Sequence, residues 1–286
     1  MASEEGHVEV VKLLLAHNQT NVNKAKTDQF ETGVTPLWQA AWKGHAEVVK
    51  ALLSHPKINV NQAKISDGTT PLHAASKKGH VKVVKELLTH NQTDVNYAQT
   101  VGVTPLFMAS KEGHVKVVME LLAHNQTDVN KAGIKEGRTP LWIASESGLV
   151  NVVNELLVNQ QTDVNKPRTT DGATPLHIAS LKGHAEVVKM LLKDKRLDPN
   201  IGQLHSKNTA LIVAAYNNRT EVAKLLLKCP KVITTYQDSY RYNALKAARW
   251  GGYVDIEKAI KTRPNLLQQG HTCGGKSYTS YLSHQV

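Results

Sequence analysis

The chain has 286 residues, 41% hydrophobic but only 5% aromatic, and its 35 Lys and Arg against 24 Asp and Glu give a formal charge of +11. No apolar run approaches the roughly twenty residues of a membrane-spanning helix. Two widely separated cysteines, Cys229 and Cys273, offer no disulfide framework and suit a reducing compartment.

Residues 1–17, MASEEGHVEVVKLLLAH, read as an amphipathic helix with Glu4, Glu5 and Glu9. They lack a basic start followed by an apolar block, so this is not the pattern of a signal peptide, and an intracellular, cytoplasmic protein is expected. From Thr35 a phrase then recurs: Thr35-Pro36-Leu37, Thr70-Pro71-Leu72, Thr104-Pro105-Leu106, Thr139-Pro140-Leu141 and Thr174-Pro175-Leu176. Worn forms follow at Thr209-Ala210-Leu211 and Asn243-Ala244-Leu245. Spacings of 34 or 35 residues signal a solenoid rather than one globule.

The unit 169–200 shows why these residue types recur. Thr174 can cap a short helix, and Pro175 enters it with helical φ and no lost hydrogen bond. Leu176, Ile178 and Ala179 supply that helix's apolar side, and Gly183 permits a tight reversal. After His184, the residues Val187, Val188, Leu191 and Leu192 form one apolar stripe of a second helix. An Asp-Gly pair, as in Asp67-Gly68 and Asp171-Gly172, has the chemistry of a hairpin tip.

TPLHIAS-LKGHAEVVKMLL, with its trailing Asp-Pro-Asn or Asp-Val-Asn, closely resembles the ankyrin repeat, over about residues 1–263. The resemblance implies an all-α repeat solenoid of about eight helix–turn–helix units with β-hairpin fingers. Repeat one is incomplete (1–33), repeats over 34–207 are regular, those over 208–263 diverge, and 264–286 are expected to form a mobile tail. The same resemblance implies a non-enzymatic module without cofactor or metal, whose partner is another protein, and a monomer is expected. It places the two residues before each turn glycine on a concave, partner-binding face. Here they are Trp42 and Lys43, Lys77 and Lys78, Lys111 and Glu112, Glu146 and Ser147, Leu181 and Lys182, Tyr216 and Asn217, and Trp250 and Gly251. Lysines outnumber glutamates among them, which favours an acidic or extended partner segment, and exposed Trp and Tyr are enriched at binding hot spots. Replacing Trp42, Tyr216, Lys77 and Lys78 by alanine is expected hardly to alter folding.

Charge offers a second reading. Residues 193–286 hold 15 Lys and Arg against 6 Asp and Glu, a balance of +9, whereas residues 1–192 hold 20 against 18, or +2. A nucleic acid or anionic surface could therefore be bound through the last third, with Arg241, Lys246 and Arg249 as the basic patch. The histidines recur with the repeat and are assigned to turn and capping hydrogen bonds, not to metal. Trp38, Phe107 and Trp142 stand where His73 and His177 stand in other repeats, and are assigned to the core. The Asn-Gln-Thr triplets at Asn18, Asn91 and Asn125 and the Asn-Arg-Thr at Asn218 read as turns, and no nucleophile elbow or phosphate loop argues for an enzyme.

Overall fold

The computed structural model describes residues 1–17, 19–27 and 32–263. The expected tail, with Leu266, Leu267, His271 and Cys273, lies outside the described residues, as does Asn18. Two compact units are present. The first, Met1–Thr170, contains α1 (Ala2–Glu5), α2 (Val8–Ala16), α3 (Pro36–Lys43), α4 (Ala46–Leu53), α5 (Pro71–Lys78), α6 (Val81–Thr89), α7 (Pro105–Glu112), α8 (Val115–Ala123), α9 (Pro140–Glu146) and α10 (Val150–Val158). The second, Asp171–Val286, contains α11 (Pro175–Lys182), α12 (Ala185–Lys193), α13 (Ala210–Tyr216), α14 (Thr220–Lys228), α15 (Ala244–Trp250) and α16 (Val254–Lys261).

Local chemistry sets the helix ends. The hydroxyls of Thr35, Thr70, Thr104, Thr139 and Thr174 each accept from the backbone N–H three residues on, at 3.1–3.4 Å, with proline at the first helical position. Asn243 does the same for α15, whereas Thr209 makes no such bond for α13. Gly79 shows why the turn needs glycine. Its φ is +75°, and a Cβ there would stand 2.6 Å from Nδ1 of His114 in the next repeat. Asn218 takes the same left-handed conformation at φ +53°.

Within each unit, first helices pack on first helices and second on second: α3 on α5 on α7 on α9, and α12 on α14 on α16. The core is a stripe repeated from layer to layer. In α6 it is Val83, Val84 and Leu87, in α8 Val117, Val118 and Leu121, and all six are fully buried. Each such side chain contributes about 1.5–3 kcal/mol.

Among the described residues there is no β-strand. The expected fingers are tight turns instead. Lys64 N–H donates to Thr69 O and Gly68 N–H to Lys64 O, and each finger reaches the next through as little as one backbone bond, such as Ile134 N–H to Val101 O at 3.1 Å. One bond per neighbour is too few for a ladder. The stronger tie between layers is an asparagine clamp. Asn61 donates to Gln92 O at 2.7 Å and accepts from Asp94 N–H at 2.9 Å. Asn23, Asn96, Asn130 and Asn200 repeat the arrangement.

The amino end is barely covered. Val10 is 47% exposed and Leu14 51%, whereas their counterparts Val83 and Leu87 are fully buried. A cavity of about 290 Å³ opens beside Met1, lined by Val11, Leu14, Leu15, Val34 and Leu52. This follows from α1 having four residues and no Thr-Pro-Leu turn. Residues 10–15 are therefore expected to exchange their amide hydrogens faster than residues 152–157 in native-state exchange. Equal protection would mean that something else covers this end.

Candidate partner-binding surfaces

In the first unit the residues before the turn glycines lie at the ends of α3, α5, α7 and α9. Lys43, Lys77, Lys78, Lys111 and Glu112 are exposed, and Trp42 is half-buried. Trp42 stacks on Trp38 with ring centroids 5.3 Å apart and planes 13° apart. Lys78 Nζ lies 4.2 Å and Lys77 Nζ 5.9 Å from the Trp42 ring centre, while Lys64 Nζ lies 5.3 Å from Trp38. None of these lysines is ion-paired among the described residues, so the stacked indoles carry a cluster of available ammonium groups. Glu146 differs: it is half-buried and accepts from Arg138 Nη1 at 3.3 Å.

The backbone of these positions has a structural task. Nε2 of His45, His80 and His114 donates to the carbonyls of Glu4, Trp42 and Lys77, at 2.9–3.0 Å. These histidines do not cap their own helices, which corrects the expectation; their rings are aimed back at the preceding repeat. Arg219 serves α14 similarly, donating through Nε to Leu181 O at 2.8 Å. Leu149, in the histidine's place, cannot form that bond. His55, His90 and His124 do make the expected local turns, each accepting at Nδ1 from the backbone two residues on. The Asn-Gln-Thr triplets at Asn91 and Asn125 are turns as well, with Thr93 and Thr127 hydroxyls donating to Leu87 O and Leu121 O.

The fourth position of Thr-Pro-Leu-X is core. Trp142 is completely buried, and Trp38 and Phe107 nearly so. His73 bonds on both sides: Nε2–H donates to Val103 O at 2.9 Å and Nδ1 faces Thr70 N–H and hydroxyl. Burial holds its pKa down, from the ordinary 6.5 to about 4. His177 is arranged likewise with Asn208 O and Thr174, and burial lowers it too.

In the second unit Leu181, Lys182 and Asn217 are exposed, and Trp250 is 77% exposed. Tyr216 is only half-exposed: its hydroxyl donates to Asp238 Oδ2 at 2.8 Å, and its ring meets Trp250 edge-on, centroids 6.3 Å apart. Burial first, then that hydrogen bond, pushes its phenol well above the ordinary range. Tyr216 is thus built into a contact between repeats, while Trp42 is stacked within α3 beneath the lysines of the next repeat. The basic patch divides. Arg241 and Lys246 are exposed, and Lys246 Nζ lies 5.7 Å from the Tyr242 ring, but Arg249 is held by Glu257 at 2.8 Å. Sequence reasoning passed over Asp238, Tyr240 and Tyr242. The signal was there: Tyr236, Tyr240 and Tyr242 are three of eight tyrosines, gathered beside Arg241.

Among the described residues no group of three or more His, Cys, Asp or Glu could hold a metal, and no helix is long and apolar enough to cross a membrane. The family described as ankyrin repeats (3 copies) matches residues 1–64, 59–132 and 125–203, and that described as ankyrin repeat matches residues 206–235. No curated protein matches the chain.

Proposed function

The chain belongs to the ankyrin-repeat family, and from that premise we propose that it is a non-enzymatic, intracellular module of about eight repeats that binds an acidic, extended segment of another protein. Repeats of this family are generally protein–protein interaction modules. The observation that carries the acidic preference is the stack of Trp38 and Trp42, ringed by Lys64, Lys77 and Lys78. A flat indole gives contact area at low entropic cost, and the ammonium groups beside it attract carboxylates as the segment docks. Lys43, Lys111 and Glu112 continue this surface, and Leu181, Lys182 and Asn217 are the matching positions of the second unit.

The test uses the full chain and whatever acidic segment a pull-down yields. Trp42→Ala is expected to cost about 2 kcal/mol or more of binding. Lys77→Ala with Lys78→Ala is expected to slow association and flatten its salt dependence. Because Trp42 stacks on Trp38, unfolding is measured in parallel, and Trp42→Phe keeps the stack. Parent affinity in both the Trp42→Ala and the double-lysine proteins would remove this surface from the binding site.

A further inference from the structure

The loop before α15 is organised by one carboxylate. Asp238 is 6% exposed, and its Oδ1 accepts the backbone N–H groups of Tyr240 and Tyr242, both at 2.8 Å, while Oδ2 accepts the Tyr216 hydroxyl. These bonds hold the loop so that its aromatic side chains face outward: Tyr240 is 77% exposed, and Tyr236 and Tyr242 are also exposed. Trp250, equally bare, rests edge-on against Tyr216 and so belongs to the same constellation. Lys246 joins it, with Nζ over Tyr242 and 3.4 Å from Arg241 O. At the tip, Arg241 has φ +62°, in the left-handed region that glycine fills in five earlier fingers, at Gly33, Gly68, Gly102, Gly137 and Gly172. An arginine kept in that conformation is strained, and strain of this kind concentrates at functional sites. Arg241 and Lys246 carry no ion pair among the described residues.

We propose that this aromatic and basic surface, built on Asp238, binds single-stranded nucleic acid, with unpaired bases stacking on Tyr240, Tyr242 and Trp250 and phosphates meeting Arg241 and Lys246. Residues 231–263 hold seven Lys and Arg against three Asp and Glu, a local balance of +4 that suits a polyanion. Bare aromatic faces beside cations are what single strands use, since every base has a stackable face. A duplex hides those faces in its own stack. An acidic peptide satisfies the cations but leaves the rings without a flat partner. The site is independent of the protein-binding surface around Trp42, so either can fail alone.

The experiment measures fluorescence anisotropy of a labelled oligothymidylate of about twelve nucleotides with the full chain, against a duplex of equal length and poly-L-glutamate as competitors. The single strand is expected to bind, and neither competitor to displace it at equal charge. Trp250→Ala and Tyr240→Ala should each weaken binding about tenfold. Arg241→Gly removes a charge while relieving the left-handed strain, so thermal stability should hold or rise as binding weakens and the salt slope falls by about 0.7. This variant keeps the inference testable even if an aromatic replacement unfolds the last repeat. Competition by poly-L-glutamate equal to that by the single strand would show charge attraction alone and overturn the proposal. So would parent affinity in Trp250→Ala, Tyr240→Ala and Arg241→Gly, or loss of binding in Trp42→Ala while these three bind normally.

Discussion

Trp142→Ala is expected to destabilise the first unit by about 3–5 kcal/mol, the cost of emptying the space of a buried aromatic ring. The side chain is completely buried. Two guanidinium groups also lie over its ring, with Arg138 Cζ at 4.8 Å and Arg168 Cζ at 5.0 Å from its centre. Both arginines are tied to Glu136, and Arg138 reaches Glu146 as well, so the ring supports a charged network as well as a core. Arg138 Nε is buried without a hydrogen-bond partner, which makes the cation–π contact its compensation. Trp142→Phe keeps an aromatic face and should cost clearly less. Urea unfolding of the three proteins decides this: a Trp142→Ala cost below about 1 kcal/mol would mean that the ring is not the support described.

The second large effect is that of acid on His73. Its imidazole is buried and neutral in the fold, with a pKa of about 4 against 6.5 when unfolded. As pH falls below about 6.5 the unfolded chain takes up a proton that the folded chain refuses, so stability is lost. The loss accumulates until about pH 4, below which both states are protonated and this histidine contributes no further slope. The shift corresponds to about 3 kcal/mol, and His177, lowered for the same reason, acts in the same direction. Burial explains the refusal. A charged imidazolium would lose its hydration there, and the hydrogen bond from Nε2–H to Val103 O offsets that only in part. His73→Phe imitates Phe107 at the same repeat position. The difference in urea midpoint between pH 7 and pH 4.5 should shrink in that variant, and an unchanged difference would sink the assignment.

The repeating unit was legible because it depends on neighbours in sequence. A threonine cap, a proline at the first helical position, a turn glycine and a stripe of Val and Leu are local requirements, recurring at every layer. From these the helix pairs followed, as did the burial of Trp38, Phe107 and Trp142. The sites were less legible, for a reason seen in particular residues. His80 reads as a helix cap, yet its ring serves a carbonyl 38 residues earlier, in Trp42. Nothing local to Asn61 points to its task, which is to clamp a loop 31 residues onward.

What the sequence determined alone was the period, and with it the helices, since caps, turn glycines and apolar stripes act within one or two turns; the fingers, expected as hairpins, are turns. What only the tertiary structure decided was which side chains are free. Trp42 and Tyr216 occupy equivalent repeat positions, but Trp42 stacks on Trp38 one turn back on its own helix, whereas Tyr216 donates to Asp238, a partner 22 residues on that only the packing of repeats brings to it. Arg241, Lys246 and Arg249 formed one basic patch on paper. In the fold Glu257 occupies Arg249, while buried Asp238 aims Tyr240 and Tyr242 out beside the other two, because hydrogen bonding inside a desolvated loop, and not charge count, sets where those groups point.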